Sequence, residues 1–417
     1  MGNSNVPIEE PSSDPPNILL IIADDMGLDA SPGYTIGSIK PHMPNLQDII
    51  DSGITFNNVW SYPTCTPTRA SILTGKYGFR TNVTKVGDEL STSETSIQKF
   101  LDEHTANTYS HAVIGKWHLS SDPGHPTNLG VGHYAGIMGG GVPSYSNWPL
   151  TENNVSSTST EYATTKLTDL AMEWMGNQTK PWFLWLAYNA AHTPFHLPPE
   201  NLHHQGALPT DEASINANPI PYYMAMLEAM DSEMGRLLRA MDPDERDNTI
   251  IIFIGDNGSP NQVAQEYNDR RVKGSIYQGG INIPMIISGK GVERQNEKED
   301  ALISTTDLFA TIADLGGAGT TEINDSKSFK RLLTDSNIHL REYVYSEMGL
   351  DSGGTDYAIR NATHKYIVFG DGTEALYNLS ENPLERPNLL SENQLPLSTA
   401  DSAIKDELIR ELMKIRQ

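Results

Sequence analysis

Five short apolar runs punctuate the chain, at Asn17–Ala23, Ser110–Gly115, Pro181–Tyr188, Asn248–Gly255 and Ile283–Gly289. Each is far too short to cross a membrane, and their near-continuous apolar character marks strands buried on both faces. Amphipathic stretches lie between them. Asn45–Ser52, Ser96–His104, Thr160–Gly176, Pro221–Met241 and Thr305–Leu315 repeat apolar residues every three or four positions, which predicts helices. This alternation predicts an α/β fold with a large, mostly parallel or mixed central sheet flanked by helices. There is no internal repeat and no heptad pattern.

The residues that follow these runs are polar and chemically capable. Asp24 and Asp25 follow the first run, Lys116 and His118 the second, His192 the third, Asp256 and Asn257 the fourth. One such residue is usually a turn former, and Asp256-Asn257-Gly258 alone reads as a turn. Four strand ends of this kind predict convergence on one crevice, because open α/β sheets bind ligands at the carboxyl ends of their strands. Asp24, Asp25, Asp256 and Asn257 form an all-oxygen set suited to a hard divalent cation, with Ca²⁺ fitting irregular ligation better than Mg²⁺. Arg69, Lys116, His118, His192 and Lys273 add cationic and proton-carrying groups of the kind that stabilise a tetrahedral oxyanion.

Cys65 is the chain's single cysteine, so an intramolecular disulfide is impossible. A lone cysteine by itself reads as a small buried hydrophobe. Its setting, Cys65-Thr66-Pro67-Thr68-Arg69, says more: Pro67 is preorganised for a helix's first turn, and Thr68–Tyr77 can continue it. Cys65 is therefore expected at a helix N-terminus, where free amides favour an anion.

Beyond a Gly- and Thr-rich stretch at 316–325, read as a linker or long loop, the pattern changes. Short strands are expected at Tyr343–Glu347, Tyr357–Arg360, Lys365–Gly370 and Ala375–Leu379, with a hairpin at Asp371-Gly372 and a closing helix over Asp401–Gln417. The expected organisation is a leader or trimmed-precursor remnant over 1–15, a catalytic α/β domain over 16–325, and a smaller C-terminal antiparallel sheet subdomain packed by a helix over 326–417. Twenty-nine Lys and Arg against 53 Asp and Glu leave a net charge of −24, which argues against a nucleic-acid partner. No run suits a membrane span. Lack of disulfides is compatible with cytoplasm, and a periplasmic or secreted protein after signal removal is the favoured expectation.

The motif around Cys65, with Leu73-Thr74-Gly75, resembles the signature of the type I, formylglycine-dependent sulfatases, arylsulfatase-like members of the alkaline phosphatase superfamily. Ala23-Asp24-Asp25, Gly115-Lys116-Trp117-His118, His192-Thr193-Pro194, Gly255-Asp256-Asn257-Gly258, Lys273-Gly274, Leu376-Tyr377-Asn378-Leu379 and Asn382-Pro383-Leu384-Glu385 continue the resemblance in the family's order. It implies hydrolysis of a sulfate monoester, an aryl sulfate or a sulfated carbohydrate, by a formylglycine made from Cys65 by a maturation enzyme. One Ca²⁺ would be held by Asp24, Asp25, residue 65, Asp256 and Asn257. Arg69 would polarise the formylglycine, Lys116 and Lys273 would bind sulfate oxygens, His118 would contact the hydrate, and His192 would protonate the leaving group. One hydroxyl of the hydrate would attack sulfur, giving a covalent sulfo-enzyme, and the other would then expel sulfate.

Two other readings remain open on sequence grounds: a phosphonate or phosphate ester hydrolase using the same kind of site, and a non-catalytic binder of sulfated ligands with Cys65 unmodified. His133, Trp148, His196, Tyr222 and Asp356 are candidates for the pocket rim, and each reads equally as ordinary surface or packing.

Overall fold

The computed structural model describes residues 15–268, 270–338 and 340–417. Apart from Pro15, the leader expected over 1–15 lies outside the described residues. A ten-stranded sheet organises the larger part of the chain. At its centre, Asn17–Ala23 pairs in parallel with Trp182–Ala187 on one side and Thr249–Gly255 on the other. Ser110–Lys116 and then His133–Ile137 extend the parallel set beyond Trp182–Ala187. Past Thr249–Gly255, the strand Met285–Gly289 runs antiparallel to both neighbours, the second being Gly53–Phe56. The sheet is therefore mixed, as its flanks carry antiparallel strands, including the hairpin of Trp148–Glu152 and Val155–Ser159.

The central strands are apolar throughout because both faces are covered. Ile18, Leu20 and Ile22 point into one core with Ile72, Leu73, Leu101, Phe309 and Ile312 from the helices Cys65–Thr74, Ile97–His104 and Asp307–Leu315. Leu19 and Ile21 point the other way, against Leu167 of Ala163–Gly176 and Met226, Met230 and Leu237 of Ile220–Ala240. All five strands and five helices expected from the pattern are present, with ends displaced by a few residues. Gly53–Phe56, His133–Ile137 and the outer hairpin are additional; they are short, or interrupted by polar residues such as Thr151 and Ser157.

The C-terminal sheet is a four-stranded antiparallel meander: Val344–Gly349, Thr355–Arg360, His364–Val368 and Glu374–Asn378. Alternation divides its side chains. Tyr345, Ile359, Tyr366 and Leu376 pack under Leu408 and Leu412 of the helix Thr399–Ile415, while Val344, Ala358, Ile367 and Tyr377 meet Trp60, Ile276 and Ile281 of the larger part. The Asp371-Gly372 turn forms where expected, with Gly372 at φ +84°, a conformation that suits glycine. The 316–325 stretch carries part of a two-residue strand pair, Glu322–Ile323 with Ser326–Lys327.

Candidate active site

The strand ends meet at the carboxyl edge of the central sheet. The Asp24 amide donates to the Ala190 carbonyl at 3.0 Å, tying the turn after the first strand to the loop after Trp182–Ala187. Asp25 takes a left-handed backbone, φ +62°, which an Asp tolerates better than most residues. Its amide donates to Asp256 Oδ1 at 3.1 Å, while Oδ1 accepts from Asn257 Nδ2 at 2.8 Å and Oδ2 from Lys273 Nζ at 2.6 Å.

Cys65 opens the helix Cys65–Thr74, behind an extended Thr64 that makes no side-chain cap. This leaves first-turn amides available at the site. Arg69, one turn along, is fully buried; it donates through Nη2 to Asp256 Oδ2 at 2.8 Å and through Nη1 to the Lys116 carbonyl at 2.7 Å. Lys116 Nζ stands 2.6 Å from Asp24 Oδ2, with neither side chain exposed. Cys65 Sγ lies 3.2 Å from His118 Nδ1, and Thr66 Oγ1 lies 3.3 Å from the same nitrogen. His192 Nε2 faces Asp25 Oδ2 at 3.9 Å. Its Nδ1 lies 2.8 Å from the Thr193 carbonyl oxygen, which requires the proton on Nδ1 and leaves Nε2 free as an acceptor in the neutral ring. All ten residues singled out from the sequence thus join one connected cluster.

Charge explains much of its behaviour. Burial, reinforced by Asp256 and Asp25, pushes the Asp24 carboxyl up to about 8 against the pull of Lys116. Asp256 is buried too, but Arg69 and Lys116 outweigh that and hold it down to about 2. Burial pushes the Cys65 thiol above its ordinary value, so an unmodified Cys65 is a poor thiolate nucleophile. Burial and then Lys116 lower His118 to about 3, and the same two causes lower His192 to about 4. Both imidazoles are therefore neutral near pH 7.

The donor set fits a hard divalent cation. One ligand atom each from Asp24, Cys65 and Asp256 lies within 4.8 Å of the others. Asp24 Oδ1 and Asn257 Oδ1 are buried with no hydrogen-bond partner, an arrangement that costs free energy unless a cation or a donor satisfies them. A cavity of about 270 Å³ opens beside His118, lined also by Asp88, Glu89, Ser120, Met138, Gly139 and Gly140. A larger one, about 700 Å³, lies at the opposite end of the strands near Asn17, Trp182 and Lys290. The carboxyl end is the better ligand site, because the buried charges and unfilled oxygens are gathered there.

The rim candidates fare differently. Trp148 is fully buried and donates to the Glu161 carbonyl, and His133 starts its strand, at the end away from the site. Tyr222 is buried and bonds the Pro209 carbonyl; Asp356 lies on the C-terminal sheet, accepting from the Gly370 amide. Of these, His196 has a path to the cluster, its ring packed at a tilt against Tyr145, whose hydroxyl bonds the His192 carbonyl at 2.7 Å. Sequence reasoning missed Tyr145, and also Tyr223, which bonds the Asp25 carbonyl at 2.8 Å. Neither stands in a motif, so no local signal marked them.

Residues 16–318 match the family model described as Sulfatase. The uncharacterized sulfatase YdeN of Escherichia coli (strain K12) is 26% identical over 366 residues, covering 74% of this chain and 64% of that protein. An arylsulfatase of Klebsiella aerogenes is 24% identical over 410 residues, covering 72% of this chain and 87% of its own length. Among solved structures, Ps i-CgsB in complex with k-i-k-neocarrahexaose superposes with a TM-score of 0.80 at 25% identity, covering 96% of this chain and 92% of that one. The strand-end cluster, the Cys65 helix and the match across most of the chain agree, and the chain belongs to the sulfatase family.

Proposed function

We propose that this chain is a sulfuric ester hydrolase that cleaves the sulfate monoester of a small molecule or sugar. The observation that carries the reading is the hydrogen-bonded group of ionisable side chains beside Cys65: Asp24, Asp25 and Asp256 with Arg69, Lys116 and Lys273, joined by Asn257 through its Nδ2. Asp24, Asp25, Asp256, Asn257 and the residue-65 side chain would hold one Ca²⁺. Bound there, the ion would supply fixed positive charge to the ester oxygens and to the nucleophile.

The chain's own side chains divide the remaining work. Lys116 and Lys273 would screen the anionic ester as the nucleophile approaches sulfur, and Arg69 would orient residue 65 while keeping Asp256 ionised. His118 would move a proton at residue 65, a role supported by its contact with Cys65 Sγ. His192, on the other side of Asp25, would protonate the departing oxygen once the anionic ester beside it has favoured a proton on Nε2. Conversion of Cys65 to formylglycine by a maturation enzyme is supported by the buried, protonated thiol, which is unsuited to act unmodified. The sulfated-sugar alternative for the substrate is supported by the hydroxyl, carboxylate and glycine lining of the cavity beside His118.

Intact mass tests the modification: the aldehyde form loses the thiol sulfur and gains oxygen. Sulfate release from 4-nitrophenyl sulfate and a set of monosulfated sugars, beside matched phosphate esters, tests the reaction. Preference for sulfate esters is expected. A strong phosphodiester preference, or an unmodified chain that binds sulfated sugars without turnover, would sink the assignment.

A further inference from the structure

The loop after His133–Ile137 runs Met138-Gly139-Gly140-Gly141 and passes both imidazoles of the site. A Cβ added at Gly140 would stand 2.4, 2.5 and 3.0 Å from Cε1, Nε2 and Nδ1 of His118. At Gly141 it would stand 3.1 and 3.2 Å from Cε1 and Nδ1 of His192. At Gly139 it would meet only the Gly141 carbonyl oxygen, at 3.9 Å. None of the three has a positive φ, so backbone conformation does not require glycine at any of them. Space does, at two of the three.

Neither partner at Gly140 has room to yield without cost. The His118 amide donates to the Met138 carbonyl at 3.1 Å and the Trp117 amide to the Ile137 carbonyl at 2.9 Å, so the two backbones are held together and the imidazole has to move instead. That ring is the one in contact with Cys65 Sγ and Thr66 Oγ1. Ordinary contact begins at 3.4 Å, so an alanine at 140 pushes His118 by about 1 Å, while one at 141 needs only a few tenths of an ångström from His192.

We infer that Gly140 and Gly141 are positioning residues for the sulfate-ester reaction: by presenting hydrogen where other residues present Cβ, they set where His118 stands against residue 65 and His192 against Asp25. The inference rests on the sulfatase reading of the site. Because the glycines act through the two rings, the displacement of those rings is graded by distance: greatest at 140, smaller at 141, absent at 139.

The test uses Gly139→Ala, Gly140→Ala and Gly141→Ala in the full chain, with two readouts. One is the ring resonances of ¹³C-labelled histidine in the unmodified protein, which need no turnover. The other is kcat/KM for 4-nitrophenyl sulfate and for an alkyl sulfate with a poorer leaving group. Gly139→Ala, whose added Cβ meets neither ring, is expected to leave the His118 and His192 resonances where wild type has them. Gly140→Ala should shift the His118 resonances and lower kcat/KM by about 10²-fold, the usual effect of a misplacement near 1 Å. Gly141→Ala should shift His192 and lose more on the alkyl sulfate than on the aryl one, because the poorer leaving group depends more on protonation. Unmoved His118 resonances in Gly140→Ala, or a shift of those resonances in Gly139→Ala equal to that in Gly140→Ala, would overturn the inference. If Gly140→Ala does not fold, Gly141→Ala carries the test, and unmoved His192 resonances refute it. Wild-type chain that turns over no sulfate ester removes the reading of the site, while the resonances still decide the spacing.

Discussion

Lys365 and Glu385 form an ion pair at 2.7 Å with side-chain exposures of 0% and 1%, at the seam between the C-terminal sheet and the larger part of the chain. Lys365 Nζ also donates to the Ile276 carbonyl at 2.7 Å and lies 5.0 Å from the centre of the Trp60 ring. Glu385 Oε2 accepts from the Gln278 amide at 2.8 Å. Next along the chain is Gly279, whose carbonyl would lie 1.8 Å from a Cβ on Gly258, the residue after Asn257. The pair therefore braces the wall behind a proposed metal ligand. Lys365→Met removes the ammonium and strands a buried carboxylate, a change that costs about 3–5 kcal/mol. At about 2.1 cal/mol/K per residue, a chain of this length unfolds with an entropy of about 0.9 kcal/mol/K, so Tm should fall by about 3–6 °C. Glu385→Gln keeps an acceptor for the Gln278 amide. Combined with Lys365→Met it should recover about 1–3 kcal/mol of the summed single losses, since the two side chains are in direct contact. Denaturant melts of wild type, both single variants and the double variant form the cycle. Strict additivity, or a Lys365→Met variant with wild-type Tm, would refute the bracing argument.

Three further outcomes follow from the same structure. Burial pulls Lys365 down to about 8 from 10.5, so between those pH values the folded chain holds fewer protons there than the unfolded chain, and stability should rise with pH across that window; the increment is the difference between wild-type and Lys365→Met stability curves, and a flat or falling difference counts against it. Chelation should destabilise the chain by removing a ligand that binds only the folded state, and Ca²⁺ at about 100 times its Kd should restore about 2.7 kcal/mol, read as a rise in Tm; no response to Ca²⁺ contradicts the proposed site. Cys65→Ala should abolish turnover and keep the wild-type near-UV circular dichroism, because the side chain serves chemistry and adds little core volume; undiminished sulfate release from purified variant would remove Cys65 from the reaction.

Much of the site was legible because its residues are local to strand ends. Asp24-Asp25 and Asp256-Asn257 each follow an apolar run that has to be a buried strand, and the parallel pairing of those two strands brings the two pairs together. Cys65 was legible for a similar reason, since Pro67 and the following residues place it at a helix start. Lys273 belongs to a loop with no apolar run before it, and only its 2.6 Å bond to Asp25 shows how it enters. Of the rim candidates, the structure puts Trp148 and Tyr222 in packing, the alternative that the sequence left open. Trp148 and Tyr222 are large and partly polar, but amphipathic residues serve cores as readily as pockets, and sequence distinguishes these uses poorly.

By itself, the sequence determined that the chain builds a two-sided sheet with chemistry at one end, because hydrophobic periodicity and the polar residues that end each run are local properties. Tertiary structure alone decided what depends on distance between segments far apart in the chain. It set the antiparallel course of Met285–Gly289, the bracing of Gln278 by Glu385, and the approach of Gly140 and Gly141 to two histidines. A glycine in a sequence shows only that a side chain is missing, and the imidazole that occupies its space becomes apparent only once the chain is folded.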